Sequence, residues 1–351
     1  MIELINIEQS QKWNSIVKGF SDWDIYYTNE YARSLQLHGD GEPQLLYWRG
    51  NDQELCYVIV IEDIVTFDKF NGILAANKYF DATTPYGYGG PLYKGDFTDK
   101  DRELFIKDMM QILQERTVIS QFFRFHPLLD NHQIFSKEFE VKTLKSTIVI
   151  DTSNEQVIWE NMDSSNRNMV RKAIKSGITI EFDHGERVND FIAVYNATMD
   201  SHEADKYYYF DKDYYDYLIH EMQDNVVFAY SLLDDKVIGA SIFFYNDRFM
   251  HYHLSGTYAE YRKFASTNLL LFEASKWANR NGIEKFHLGG GMSSEDSLYK
   301  FKKKFNKKGE CPFYIGRLVV DEEQYHFLLK LRRQYDGSFD MNNGFMIQYR
   351  K

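Results

Sequence analysis

The chain has 351 residues, 44% of them hydrophobic, which is enough material for two packed domains. Its net charge of −11 argues against a protein that coats nucleic acid, so no DNA partner is expected. Two cysteines indicate neither a disulfide framework nor a cysteine-based zinc site, and no metal is predicted. Because no leader-like segment and no run of about 18 apolar residues occurs, we expect a cytoplasmic protein without a transmembrane segment.

The first half of the chain combines helices and strands in a loose order. The patterns predict helices over 27–37 and 102–115 and strands over 44–48, 56–61 and 121–125.

Two motifs stand out in this half as candidate substrate contacts. Residues 85–91 read Pro-Tyr-Gly-Tyr-Gly-Gly-Pro, which is too rigid and glycine-rich for an ordinary strand. Its N–H groups and its two rings, Tyr86 and Tyr88, suit a sugar nucleotide or a muropeptide, although a buried tight loop is an equal alternative. Arg124 and His126 end the following strand and are candidates to pair with a phosphate or carboxylate.

The second half begins with a strand over 146–150. A helix capped by Asp151 or Ser153 is predicted to run to about residue 176, where Gly177 ends it. The next predicted elements are a strand over 178–182, helices over 191–200 and 214–222, and a hairpin of strands 226–233 and 237–245 that turns at Asp234-Asp235.

A strand over 249–256 carries the most polar groups of this half. Its alternation predicts Met250, Tyr252 and Leu254 on one face and His251, His253 and Ser255 on the other. The elements that follow are a helix over 266–281, a strand over 285–288, a triple glycine at 289–291 and a helix over 297–305.

These motifs, in this order, resemble those of the Fem-type peptidyltransferases and their relatives in the GNAT acyltransferase superfamily. The matching segments of the second half are 253–256 (His-Leu-Ser-Gly), 268–270 (Asn-Leu-Leu), Gly282, 288–291 (Leu-Gly-Gly-Gly) and 298–302 (Leu-Tyr-Lys-Phe-Lys). Residues 85–91 and 123–127 are similar to motifs of the family's N-terminal half.

The resemblance implies an α/β (α+β) fold of two tandem GNAT-like domains, each a mixed, mostly antiparallel sheet flanked by helices. The expected domains are 1–150 and 151–320, and residues 321–351 are expected to return to the first domain. It also implies an enzyme: an N-acyltransferase that moves an aminoacyl or acyl group onto an amine of a cell-envelope precursor such as a peptidoglycan muropeptide. Two alternatives are an acyl-CoA-dependent N-acetyltransferase of an amino sugar or small amine, and a non-catalytic binding protein with the same fold.

Acyl transfer to an amine requires a base, hydrogen-bond donors that stabilise the oxyanion, and a binding site for the acyl donor. The resemblance implies a functional lysine at the Phe-Lys pair, which here is Lys302. His253 is a candidate base because an ordinary histidine titrates near working pH. Ser255 is a further catalytic candidate, and Tyr252 is a candidate substrate contact that equally suits a core position. In Fem-type enzymes a basic side chain follows the second helix of the C-terminal domain; here His202 or Lys206 stands in that region, and no arginine does.

The donor is predicted from the loop before the helix at 266. Acetyl-CoA-using members of the superfamily carry a glycine-rich loop there, whose N–H groups hold a pyrophosphate. Arg262 fits the first position of that pattern, but Ala265 replaces a glycine; Lys263 and Asn268 are the other candidate donor contacts. This departure favours aminoacyl-tRNA over acyl-CoA as donor and leaves both open, with no resident cofactor expected.

Overall fold

The computed structural model describes residues 1–291 and 296–351 and contains two compact units. The first unit comprises Met1–Leu144 and Phe313–Lys351, and the second comprises Lys145–Pro312. The boundaries expected from the sequence were 150 and 320. Within the described residues, no helix has both the length and the apolar character that crossing a bilayer requires.

The elements before residue 144 belong to the first unit. They are β1 (Ile2–Asn6), α1 (Ser10–Val17), α2 (Asn29–His38), β2 (Glu42–Arg49), β3 (Glu54–Asp63), β4 (Phe80–Thr83), β5 (Leu92–Lys94), α3 (Asp99–Glu115) and β6 (Val118–Arg124).

The remaining elements include two strands, β7 and β13, that run across the unit boundaries. The list is β7 (Glu140–Asp151), α4 (Glu155–Asn161), α5 (Ser164–Lys175), β8 (Thr179–Asp183), α6 (Val188–Ser201), α7 (Lys212–Glu221), β9 (Val226–Leu233), β10 (Lys236–Tyr245), β11 (Phe249–Thr257), α8 (Ser266–Arg280), β12 (Lys285–Gly289), α9 (Ser297–Lys303), β13 (Glu310–Val319) and α10 (Glu322–Tyr335).

The first unit is built on a sheet of strand order β1-β2-β3-β4-β6-β13, with β5 paired to β3. Its pairs are antiparallel except for β4 with β6, among the strands that the structure describes. Apolar side chains of α3, including Phe105 and Met109, pack with Trp48, Tyr57 and Phe123 of the sheet. Burial of these large rings supplies the main stabilisation of this unit.

The second unit has the strand order β7-β12-β11-β10-β9-β8. Its pairs are antiparallel except for β11 with β12, again among the described strands. Helix α8 connects these two parallel strands and packs Leu270 and Ala274 against Phe243 and Phe286 of the sheet. The crossover places the ends of β11 and β12 at one edge of the sheet.

Most predicted elements occur, with one break that was not predicted. The single helix expected up to residue 176 is two helices, α4 and α5, separated by Met162 and Asp163 in extended conformation. The carboxylate of Asp163 accepts a hydrogen bond from the backbone N–H of Ser165 and so starts α5. Asp163, an N-cap residue inside an otherwise helical pattern, marks the boundary between α4 and α5.

The expected division of faces in β11 is wrong, because the strand contains a β-bulge. Leu254 pairs with Ile242, but Tyr252 pairs with Phe243, so His253 is an extra residue. Paired residues of antiparallel strands point to the same side, and Ser255 pairs with Ser241. Ser255 therefore shares the α8 face with Tyr252.

The histidine side of β11 is changed by the same bulge. Leu254 lies on the opposite face together with His251, because their partners Ile242 and Phe244 are two residues apart in β10. The predicted polar face of His251, His253 and Ser255 is thus divided between the two sides of the sheet.

Candidate active site

A cleft of about 300 Å³ opens where β11 ends and α8 begins. Its walls come from the end of α6, from β11, from the turn before α8 and from α9. The lining residues are Thr198, His202, Tyr252, Ser255, Gly256, Thr257, Arg262, Ala265, Ser266, Thr267, Asn268, Leu298 and Phe301. Four of the predicted site residues, Tyr252, Ser255, Arg262 and Asn268, are therefore brought together here.

The start of α8 forms one wall of the cleft. Ala265 precedes the helix in the left-handed conformation, with φ of 58°, and no side chain among the described residues caps the helix. Ser266 is buried, and its Oγ has no hydrogen-bond partner within residues 1–291 and 296–351. An uncapped helix start carries partial positive charge and N–H groups that suit an anionic or carbonyl oxygen.

The opposite wall is the polar part of β11. The Ser241 hydroxyl donates to Ser255 Oγ at 2.9 Å, and both serines hydrogen bond with Tyr252. Burial raises the pKa of Tyr252, and these two hydrogen bonds act in the opposite direction. Tyr252 therefore stays protonated near neutral pH and presents a hydroxyl group beside Ser255.

Lys302 lies behind Tyr252 and is buried, with 7% of its surface exposed. Its Nζ donates to the carbonyl oxygen of Gly290 at 2.8 Å and is 5.5 Å from the centre of the Tyr252 ring. Burial, and to a smaller extent the charge of Lys145, lower the pKa of Lys302 to about 8, against the opposing effect of Asp296. Roughly nine in ten Lys302 side chains are then still charged at pH 7.

His253 is unsuited to the predicted role of base. Its Nε2 is 2.8 Å from the hydroxyl of Tyr214 in α7, and its ring lies 4.3 Å from that of Phe244. Burial, and then the neighbouring His251, lower the pKa of His253 to about 3. So weak a base does not take a proton from an ammonium group that titrates several units higher.

The other predicted residues of this unit lie at the edge of the cleft or outside it. Arg262 is exposed and its guanidinium is 3.4 Å from Ser201 Oγ, whereas Lys263 lies over the Phe264 ring, outside the set of lining residues. Asn268 donates to the buried Asn166 at 2.6 Å. Lys206 is exposed on a short 3₁₀ turn away from the lining set.

In the first unit, residues 85–91 form a tightly packed loop. A Cβ at Gly87 would come within 2.6 Å of the Tyr26 ring, and one at Gly90 within 2.7 Å of the Phe125 ring; both glycines have positive φ. The Tyr88 ring packs edge-on against Tyr26. The sequence left a substrate loop and a packing loop as equal alternatives, and most of this loop serves packing.

The loop nevertheless leaves one aromatic ring accessible. Tyr86 is 38% exposed, and the Arg124 guanidinium lies 5.7 Å from its ring centre while its Nε donates to Gly87 O. His126 is buried, and its Nε2 is 2.6 Å from Asp24 Oδ2. The expected carboxylate partner of His126 is therefore this internal one, whereas Tyr86 is exposed and Arg124 beside it is half-buried.

Residues 164–303 match the family model described as the acetyltransferase (GNAT) domain. The second unit, which contains these residues, has a GNAT-like fold. The match extends from α5 to α9 and so contains the whole cleft and Lys302. No curated protein matches the chain.

Several solved structures share the fold over nearly the whole chain. FemX is 11% identical with a TM-score of 0.68, and the alignment covers 93% of this chain and 99% of FemX. L-PGS from Bacillus licheniformis is 11% identical with a TM-score of 0.56 and coverage of 94% and 98%. A tandem GNAT protein from the clavulanic acid biosynthesis pathway is 6% identical with a TM-score of 0.50 and coverage of 91% and 99%. The predicted fold of two tandem GNAT-like domains is confirmed.

The sequence did not point to several residues of the second unit that shape the cleft. Ser241 supports Ser255 across the β10–β11 pair, and the register of that hairpin would have identified it if the bulge had been foreseen. Asn166 contacts Asn268 across 102 positions of sequence. No local pattern relates residues so far apart.

Proposed function

We propose that the protein is an N-acyltransferase that transfers an aminoacyl group to an amine of a cell-envelope precursor in the cytoplasm, as the Fem-type resemblance implies. The observation that carries this proposal is the cleft, in which the uncapped start of α8 faces the Tyr252 and Ser255 hydroxyls. Such an arrangement offers hydrogen-bond donors to a carbonyl oxygen from two sides.

In the proposed reaction, the amine nitrogen of the acceptor attacks the carbonyl carbon of the donor ester. The new C–N bond forms and the C–O bond of the ester breaks, and the proton lost by nitrogen goes to the departing oxygen. Negative charge develops on the carbonyl oxygen in between, and stabilising it is the main task of the protein. The Lys302 charge beside Tyr252 serves this purpose, since it strengthens Tyr252 as a hydrogen-bond donor.

Neither His253 nor another histidine is needed as base in this scheme. An acceptor amine that arrives neutral needs only charge stabilisation and orientation. The exposed Tyr86 of the first unit, with the half-buried Arg124 beside it, is our candidate contact for the acceptor, because a ring with a neighbouring guanidinium suits a sugar and a phosphate or carboxylate.

The test is a transfer assay with charged tRNA and a muropeptide, comparing the wild-type protein with Lys302→Met and the matched control Lys303→Met. Lys303 is the next residue in α9, is exposed and pairs with Glu310 at 2.8 Å. We expect the first variant to lose roughly 100-fold or more in rate and the control to keep its activity. Equal rates in all three proteins would remove Lys302 from the mechanism.

Acyl-CoA is the second candidate donor, with an amino sugar or small amine as acceptor. It is favoured by the position of Arg262, whose side chain lines the cleft next to the uncapped start of α8, where a pyrophosphate finds N–H groups and a positive charge. Ala265 in place of glycine brings a methyl group to the same turn and opposes this donor.

Calorimetric titration with CoA and acetyl-CoA separates the two donors. Arg262→Ala should weaken binding if the cleft holds CoA, and Lys263→Ala is the matched control because Lys263 does not line the cleft among the described residues. Saturable binding that is lost in Arg262→Ala would establish the CoA-dependent enzyme. Absence of binding by a folded protein favours the tRNA-borne donor, and absence of transfer with either donor would indicate a binding protein without catalysis.

A further inference from the structure

The glycine turn after β12 receives two lysine side chains from different elements. Lys302 of α9 donates to the carbonyl of Gly290, and Lys145 of β7 donates to the carbonyl of Gly291. The two ammonium groups thus bind consecutive carbonyl groups of one turn. Two neighbouring positive charges repel each other and lower the stability of the folded protein, so a functional explanation for the Lys302–Lys145 pair is sought.

The turn is shaped so that Lys145 can reach it. A Cβ at Gly290 would lie 2.9 Å from the carbonyl oxygen of Ser146 and 3.6 Å from Cε of Lys145. A Cβ at Gly291 would overlap the Asp296 carboxylate. Both positions therefore require glycine, because the backbone packs directly on β7 and on the residue that caps α9.

Three groups act on the Lys302 ammonium from the surrounding elements. Lys145 approaches from β7, Asp296 from the start of α9, and the Tyr252 ring from β11. The charge of Lys145 opposes the protonated form of Lys302 and Asp296 favours it. Of these three groups, Lys145 alone both hydrogen bonds to the Gly290–Gly291 turn and carries the same positive charge as Lys302.

We propose that Lys145 is a positioning residue for Lys302, acting on it through the turn Gly290–Gly291 and through its own charge. This inference rests on the proposed function, in which Lys302 stabilises developing negative charge. Lys145 fixes the carbonyl next to the one that Lys302 binds, so the Lys302 ammonium stays against Tyr252. Burial is the larger cause of the lowered pKa of Lys302, and the charge of Lys145 lowers that pKa further.

The test is to titrate Lys302 itself, because this needs no substrate. Lysine labelled with ¹³C at Cε is followed by NMR against pH, and the Lys302 signal is assigned by its loss in Lys302→Met. In Lys145→Met, which keeps the aliphatic chain and removes the charge, we expect the titration midpoint of Lys302 to rise by roughly one pH unit. Lys145→Arg keeps the charge and should leave the midpoint within about 0.3 unit of the wild type.

Lys142→Met is the matched control, since Lys142 lies on the same strand and donates to Gly344, a residue of the first unit. An unchanged midpoint in Lys145→Met, or an equal rise in Lys142→Met, would overturn the inference. If Lys145→Met does not fold, Lys145→Gln, which also removes the charge, takes its place: a rise of the Lys302 midpoint supports the proposal and an unchanged midpoint refutes it. Absence of transfer activity would affect only the proposed function, because the titration is read without substrate.

Discussion

Lys302→Met should make the protein more stable while removing its activity. Lys302 is a buried lysine whose ammonium group donates a hydrogen bond to Gly290 O and has a like charge nearby. Methionine fills a similar volume without charge. A buried charged side chain that lowers stability beside a cleft is a candidate for function.

The size of the effect follows from the lowered pKa. The pKa of Lys302 falls from 10.5 to about 8 in the folded protein, a difference of about 2.5 units. At 1.36 kcal/mol per unit, the charged form costs roughly 3 kcal/mol in the folded state. Loss of the hydrogen bond to Gly290 costs about 1 kcal/mol, so the variant should gain about 2 kcal/mol at pH 7.

The pH dependence has a definite sign. Between pH 8 and 10.5 the unfolded chain binds a proton at Lys302 that the folded protein has lost, so the stability of the wild type rises with pH in this window. Lys302→Met lacks this titration. Its advantage of about 2 kcal/mol should therefore be full below about pH 8, vanish at about pH 9.5 and be reversed by about 1 kcal/mol at pH 10.5, where only the lost hydrogen bond to Gly290 remains.

The assay is urea unfolding at pH 7 and at several points up to pH 10.5, followed by tryptophan fluorescence, with Lys303→Met as control. Lys303 is exposed and paired with Glu310, so its removal should change the free energy of unfolding by no more than about 1 kcal/mol at any pH. A Lys302→Met protein that is less stable than the wild type at pH 7, or a difference that does not vary with pH, would refute the reasoning.

Three further changes test other parts of the structure. Ala265→Gly should stabilise the protein by about 0.5–1 kcal/mol, because its φ of 58° is strained for alanine, and a decrease in melting temperature would contradict this. Gly256→Ala should destabilise by about 1–3 kcal/mol, since the new Cβ would lie 2.7 Å from Val194 O; wild-type urea stability would show that α6 can move away. Asp24→Ala should cost about 3 kcal/mol by leaving buried His126 without its carboxylate, and a loss below 1 kcal/mol in urea unfolding would exclude a structural role for the pair.

The sequence predicted the elements with strong local patterns. The hairpin at Asp234-Asp235 is an example: both residues adopt positive φ, as a two-residue turn between antiparallel strands requires. Helix α8 is a second example, because its apolar stripe repeats at helical spacing and faces the sheet. Signals that lie within about ten residues are readable from one sequence.

The arrangement of the site was less predictable, for physical reasons. One extra residue in β11 moves Ser255 to the other face of the sheet, and a bulge has no compositional signal that alternation would reveal. The low pKa of His253 comes from burial and from His251, so it depends on packing and not on residue type. Lys145 reaches Gly291 across 146 positions, and a lysine in a strand gives no indication of such a contact.

The topology explains why the cleft and Lys302 are neighbours. Because β11 and β12 are parallel, their carboxyl ends lie at the same edge, so α8 starts beside the turn that leads to α9. This β–α–β connection brings the start of the helix and the turn after the second strand together, whatever substrate the protein uses. The fold therefore fixes the positions of the helix start and of the turn, and we propose that the side chains of Arg262, Ala265 and Lys302 decide which donor is accepted there. For this reason donor-binding measurements on variants of these three residues distinguish aminoacyl-tRNA from acyl-CoA, which a shared fold cannot do.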